Sequence, residues 1–255
     1  MTPAALYKQV VALDRIAHRP WRYRPPSDFR HTQRMNASFV TATEFADVAR
    51  EYVIVFTRAG RGEANQRDHI APIALLGLAQ EENLYLMPDG SWDARYYPAF
   101  LSRYPFGMAQ GESGRRVMCL DAAYPGWVTD AAPESAPAAG EHEMFDAAGE
   151  PTPYLSQILS FLDSFDAESE HTQQICAHLR DLGVLQDMHV DATLADGSSL
   201  KADGFMVVDR EKVSKLPDAT LAQLHRSGIL GLIALHQSSL GLLERLMQRR
   251  LARAG

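Results

Sequence analysis

The hydrophobic and polar positions of this chain change rhythm several times, and each change marks an element. The run YVIVF, Tyr52 to Phe56, is β-branched and aromatic and predicts a strand. IAPIALLGL, Ile70 to Leu78, predicts a second, and ENLYLM, Glu82 to Met87, a third, turned at Asp89-Gly90. RRVMCLD, Arg115 to Asp121, reads as another strand, and Met188 to Asp209 as a hairpin turning at Asp196-Gly197. Between these runs the period lengthens to that of a helix. Thr43 is placed to cap a short helix carrying Phe45, Ala46 and Ala49, and Pro98 to open another that Pro105 stops.

From Thr152 and Pro153 onward, Tyr154, Leu155, Ile158, Leu159, Leu162 and Phe165 recur at helical spacing. A second helix is expected through Ile175 and Leu179 to about Leu182, with Gly183 as its stop. The segment from Arg210 reads as helix in two pieces broken at Pro217, and the C-terminal stretch as an amphipathic helix with arginines in its last turns. Two segments lack a period. Residues 1–34, rich in Arg, His and Pro, read as an extended arm or an edge strand, and Thr129 to Glu143, rich in Ala, Pro, Glu and Ser, as an inserted loop or linker. Strands and helices are segregated rather than alternating. The predicted fold is α+β, one domain over 1–255, with small antiparallel sheets, a helical hairpin and C-terminal helices packed alongside.

Composition narrows the classes. At 255 residues, 46% hydrophobic, the chain can bury a sizeable core, and its net charge of −7 is the wrong sign for a nucleic-acid binder. The two cysteines, Cys119 and Cys176, lie in apolar-patterned segments and read as buried thiols in a reducing compartment. The N-terminal residues show no signal-peptide pattern, and the longest apolar run, Gly228 to Leu243, is too short for a bilayer and broken by His236 and Gln237. A cytoplasmic location is expected.

The densest chemistry lies in RYYPAFLSRYPFGM, Arg95 to Met108. Flat aromatic anchors beside forked donors suit a recognition face, so Trp92, Arg95, Tyr96, Tyr97, Arg103, Tyr104 and Phe106 are the candidate binding residues, with the arginines able to grip a carboxylate. The alternative is that the rings rim a core and the arginines snorkel to water. A second constellation is His189 and Asp191, an H-x-D pair on one strand face, which with His225 or His236 would supply the two-His, one-carboxylate set of a non-haem Fe(II) oxygenase. His171, Cys176 and His178 share a predicted helix without a metal-binding signature. Neither GxGxxG, a P-loop nor GxSxG occurs.

The stretches EFADVAREYVIVF, PIALLGLAQEENLYLMPDGSWDARYYPAFLSRYPF and GFMVVDREKVSKLP resemble the bacterial SapC-like proteins, in order, from about Glu44 to the C-terminus. The most specific element is the family's W-x-x-x-Y-[IV]-P-A followed by R-Y-P-F, matched by Trp92, Tyr96, Pro98, Ala99, Arg103, Tyr104, Pro105 and Phe106. Val53 and Gln237 depart from the usual proline and leucine. The resemblance implies a link to surface-layer protein export and supplies no catalytic residues. The leading expectation is a non-catalytic accessory protein that needs no cofactor and binds a peptide or protein, an export or modification substrate or a second copy of the chain. The alternatives are an iron- and 2-oxoglutarate-dependent oxygenase using His189, Asp191 and His236, and a structural subunit of an envelope assembly.

Overall fold

The computed structural model describes residues 6–58, 69–111, 114–129, 136–193 and 199–254. Two strands, β1 (Val10–Ala12) and β2 (Arg22–Tyr23), fall within the first 34 residues. Then come β3 (Ala37–Phe39), α1 (Phe45–Val48), β4 (Ile54–Arg58) and β5 (Ile70–Leu75). A single helical turn, α2 (Ala99–Ser102), precedes β6 (Phe106–Gln110), β7 (Arg116–Asp121), β8 (Trp127–Val128) and β9 (His142–Glu143). The long helix α3 (Pro153–Asp181) leads into the hairpin β10 (Leu185–Thr193) and β11 (Ser199–Val208). Four helices follow: α4 (Arg210–Ser214), α5 (Asp218–Arg226), α6 (Ile229–Ser239) and α7 (Leu243–Ala254).

The strands form three antiparallel sheets, ordered β10-β11-β4-β5-β3, β1-β7-β6 and β8-β2-β9. The architecture is α+β. The N-terminal segment is woven in: β1 is an edge strand on β7, and β2 is the centre of its sheet, taking β9 from the end of the 129–143 stretch as one neighbour. The turn at Asp196-Gly197 lies outside the described residues.

α3 is one rod where two helices were expected. Its 29 residues span ~44 Å at 1.5 Å per residue. The polar run after Phe165 looked like a break, but it contains no Pro or Gly, and the inward stripe continues through Thr172 to Ile175, Cys176 and Leu179. Thr172 is buried, and its hydroxyl donates to the Glu168 carbonyl and accepts from Ala42 N–H at 2.8 Å, so the polar residue is satisfied there. Thr152 caps the rod and Pro153 opens it.

The predicted strand at Glu82 to Met87 is reduced to one bridge, Leu86 to Trp92. The Asn83 side-chain oxygen accepts from Tyr85 N–H and Leu86 N–H, which removes from a ladder the donors a strand would need. The helix cap expected at Thr43 sits at Thr41, whose N–H and hydroxyl both donate to Glu44 Oε2 at 2.8 and 2.9 Å.

The main core gathers the inner faces of β4, β5, β6 and β7 against α3, with Tyr52, Ile54, Leu75, Leu120 and Leu155 fully buried. A second cluster, Phe56, Ile175, Leu179, Met206, Leu224 and Ile233, lies where α5 and α6 cover β4 and β11. His236 joins these layers. Its Nε2 accepts from Val208 N–H at 3.1 Å and its Nδ1–H donates to the Ile54 carbonyl at 2.9 Å, tying α6 to both strands.

Candidate functional site: a basic and aromatic cleft

The aromatic segment is fixed before it can recognise anything. Glu44, only 6% exposed, receives Tyr96 O–H and Ala99 N–H on its Oε1, each at 2.8 Å. Glu51 Oε2 accepts from Arg95 N–H and Tyr96 N–H at 2.7 and 3.0 Å. Trp92 Nε1–H donates to Tyr52 Oη at 2.8 Å, and the Trp92 ring stacks on Tyr85. Two carboxylates beside α1 thus hold the backbone donors of residues 95–99, which no strand or helix would satisfy. Of the tyrosines of this stretch, Tyr96 serves that clamp.

Beyond the clamp the same segment reaches a cleft of about 1640 Å³, walled by residues 24–36, β3, β5, the end of α2, Tyr124 to Gly126 and the middle of α3. Its rim is fixed by Tyr124 O–H on the Arg24 carbonyl at 2.7 Å. Gly126 is required beside it, since a Cβ there would lie 2.5 Å from the Arg24 oxygen.

Of the nominated side chains, Arg103 and Tyr104 line this cleft. The others do not form an exposed recognition face. Phe106 is 3% exposed and packs on Tyr23; Trp92, Tyr96 and Tyr97 are half-buried. Arg95 is exposed and away from the lining, so the expected two-arginine grip is reduced to Arg103 alone. Tyr104 presents its ring at 5% exposure and donates its hydroxyl to Asp121 Oδ2 at 3.2 Å. Residues outside the nominated set complete the walls: Lys8, His31, Phe100, Tyr124 and Phe165. Phe165 had a signal, the helical stripe, which reads equally as core.

Arg103 is the unusual member. Its guanidinium carbon stands 4.2 Å from the Phe100 ring centre and 5.3 Å from that of Phe165, and its buried Nε has no hydrogen-bond partner. Burial pulls its pKa below the ordinary arginine value, with the Tyr7 hydroxyl opposing. That hydroxyl itself donates to the Phe106 carbonyl at 2.6 Å, and burial pushes its pKa up to about 12. His31 stacks on Tyr104 at 4.9 Å, shares a hydrogen bond with Tyr97 Oη at 3.1 Å, and is held neutral by burial, with a pKa lowered to about 4.

The oxygenase triad does not assemble around His236. The Nε2 lone pair of His236 is taken by Val208 N–H and its Nδ1–H is given to the Ile54 carbonyl, which leaves no lone pair for iron; burial holds the ring neutral, with a pKa lowered to about 4. His189 is exposed on β10, and the Asp191 side chain lies outside the described residues. Among the described residues no group of three metal-capable side chains converges. Cys176 is buried among apolar side chains, and its thiol is pushed up to about 12.

Fold and site together define an α+β protein whose large cavity is a cationic, aromatic-walled cleft. The SapC family model matches residues 13–246, nearly the whole chain, and the protein belongs to the SapC family. No curated protein and no solved structure matches it significantly. Among the described residues no helix is long and apolar enough to cross a membrane.

Proposed function

We propose that this protein is a binding accessory whose cleft receives a segment of a peptide or protein partner. The observation that carries the reading is the cleft itself: about 1640 Å³, lined by Phe39, Phe100, Tyr104, Tyr124 and Phe165 together with Lys8 and Arg103, in a chain of net charge −7. The acids that line it are spent internally: Asp28 on Arg30, Glu81 on Arg34, Asp166 on Arg116. The family resemblance supports an export or modification substrate as the partner, and the reading places the encounter in the cytoplasm.

Native mass spectrometry of the protein isolated gently from its host tests this, beside a variant with Ser169→Trp, which fills the cleft from α3. A peptide or protein adduct on the wild type that disappears in the variant is the expected result. An unliganded wild type, or an adduct indifferent to the substitution, would remove the cleft from the function.

A further inference from the structure

We propose that Arg103 is a carboxylate anchor, and that the cleft selects peptide segments carrying a carboxylate next to an aromatic or apolar side chain. This rests on the peptide-binding reading and names the chemistry of its ligand.

Charge decides the first half. Among the described residues the cleft's three carboxylates are each paired with an arginine, whereas Arg103 and Lys8 line it without an acidic partner. Asp121, beside the Tyr7 and Tyr104 hydroxyls, is already engaged by Lys8 N–H, Gln9 N–H, Ala123 N–H and Tyr104 O–H. Arg103 thus lines the cavity half-buried, with its Nε covered by protein and unpartnered, and with the Tyr7 hydroxyl as its neutral neighbour. With Nε covered, the pair of terminal nitrogens is the edge left to meet an entering carboxylate in two parallel bonds.

Shape decides the second half. Phe100 and Phe165 both flank the guanidinium, and Tyr104 and Tyr124 continue the wall. A group entering to reach Arg103 must pass between aromatic faces, which favours a ligand whose carboxylate is carried on an apolar body. The site suits a singly charged group. A phosphate would leave oxygens unmet, since the other lining arginines, Arg24, Arg30 and Arg34, are each already paired with a carboxylate. A peptide offers such a carboxylate from its C-terminus or from an acidic side chain flanked by aromatic residues.

The test is an NMR titration of the full-length protein labelled with 15N, following the arginine Nε–H signals. Three probes are used: N-acetylphenylalanine, its neutral amide, and the capped peptide acetyl-Phe-Glu-Phe-amide. The Arg103 signal is expected to move with at least one acid, which binds about tenfold more tightly than the neutral amide, the worth of a charge-assisted contact. Whichever acid wins identifies a terminal or a side-chain source. R103Q is expected to abolish the preference. Should R103Q not fold, R103K carries the test: it keeps the charge, loses the fork, and should lose most of the preference. Equal binding of acid and amide, tighter binding of inorganic phosphate, or a preference that survives in the variant would overturn the anchor. If the acids fail while the host adduct persists and remains sensitive to Ser169→Trp, the anchor falls and the peptide reading stands. If both fail, both fall.

Discussion

Among the described residues two arginines lie over aromatic rings, Arg103 and Arg249, and only one is at rest. Arg249, on α7, stands 4.5 Å over Tyr85, pairs with Asp93, and donates to the carbonyls of Leu84 and Asp93 at 3.3 and 3.0 Å. Arg103 stands 4.2 Å over Phe100 with an unmatched Nε and no acid. The ring contact is similar, so the difference lies in hydrogen bonding. Arg249 fastens a helix to the 83–93 segment; Arg103 holds a charge that nothing in the fold requires. Arg250 on α7 also keeps a buried Nη1 without a partner, but its Nε pairs with Glu82, whereas Arg103 lines the cleft with no acid beside it.

Substitutions can break that contrast. The largest loss is expected on the structural side, at Glu44. Glu44→Ala removes a buried carboxylate that accepts from Thr41, Tyr96 and Ala99, and should cost about 3–4 kcal/mol in urea denaturation. A loss below 1 kcal/mol would mean that the clamp does not hold the aromatic segment.

Acid comes next. His236 and His31 both have pKa values near 4 in the fold, against an ordinary 6.5. Between those values the unfolded chain binds more protons, so stability is full above about 6.5 and falls as pH drops toward 4. Each histidine contributes up to about 3 kcal/mol across that window. Denaturation midpoints at several pH values should show the slope, and His31→Phe should remove its share; an unchanged slope would acquit His31.

Arg249→Ala should cost about 1–2 kcal/mol, tempered by the exposure of Asp93, and leave ligand binding alone. Arg103→Leu should change stability by less than about 1 kcal/mol, or raise it, because an orphaned buried group is exchanged for an apolar one among phenylalanines. A loss above 3 kcal/mol at Arg103 would make it another Arg249 and erase the distinction.

Strands β4, β5 and β7 were legible in the sequence because each is a short apolar run bounded by polar or turn residues, a local signal that packing only reinforces. The long helix was legible in both halves but not in its continuity, which depends on Thr172 finding Ala42 N–H across the fold. The strand expected at Glu82 to Met87 failed through Asn83, a side chain competing for backbone donors. The site was legible by composition and misplaced by geometry. Arg95 to Phe106 holds the densest chemistry, yet its Tyr96 answers to Glu44 and its Phe106 packs on Tyr23, and only Phe100, Arg103 and Tyr104 of that stretch line the cleft. The cleft's walls, Lys8, His31, Arg103, Tyr124 and Phe165, come from segments that no local pattern connects.

The bond between His236 and Ile54 spans 182 residues of chain, and its consequence falls on biosynthesis. Translation delivers β4 early, but β11, its neighbour, and α6, its cover, emerge far later. Until then the nascent polypeptide carries an unpaired strand edge flanked by Val53, Val55 and Phe56, a template for pairing with other chains. Loops of this length must close before their contacts stabilise anything, so the central sheet cannot be completed until β11 and α6 have been made. A ribosome that stalls before His236 therefore releases a sticky intermediate and not a smaller working domain.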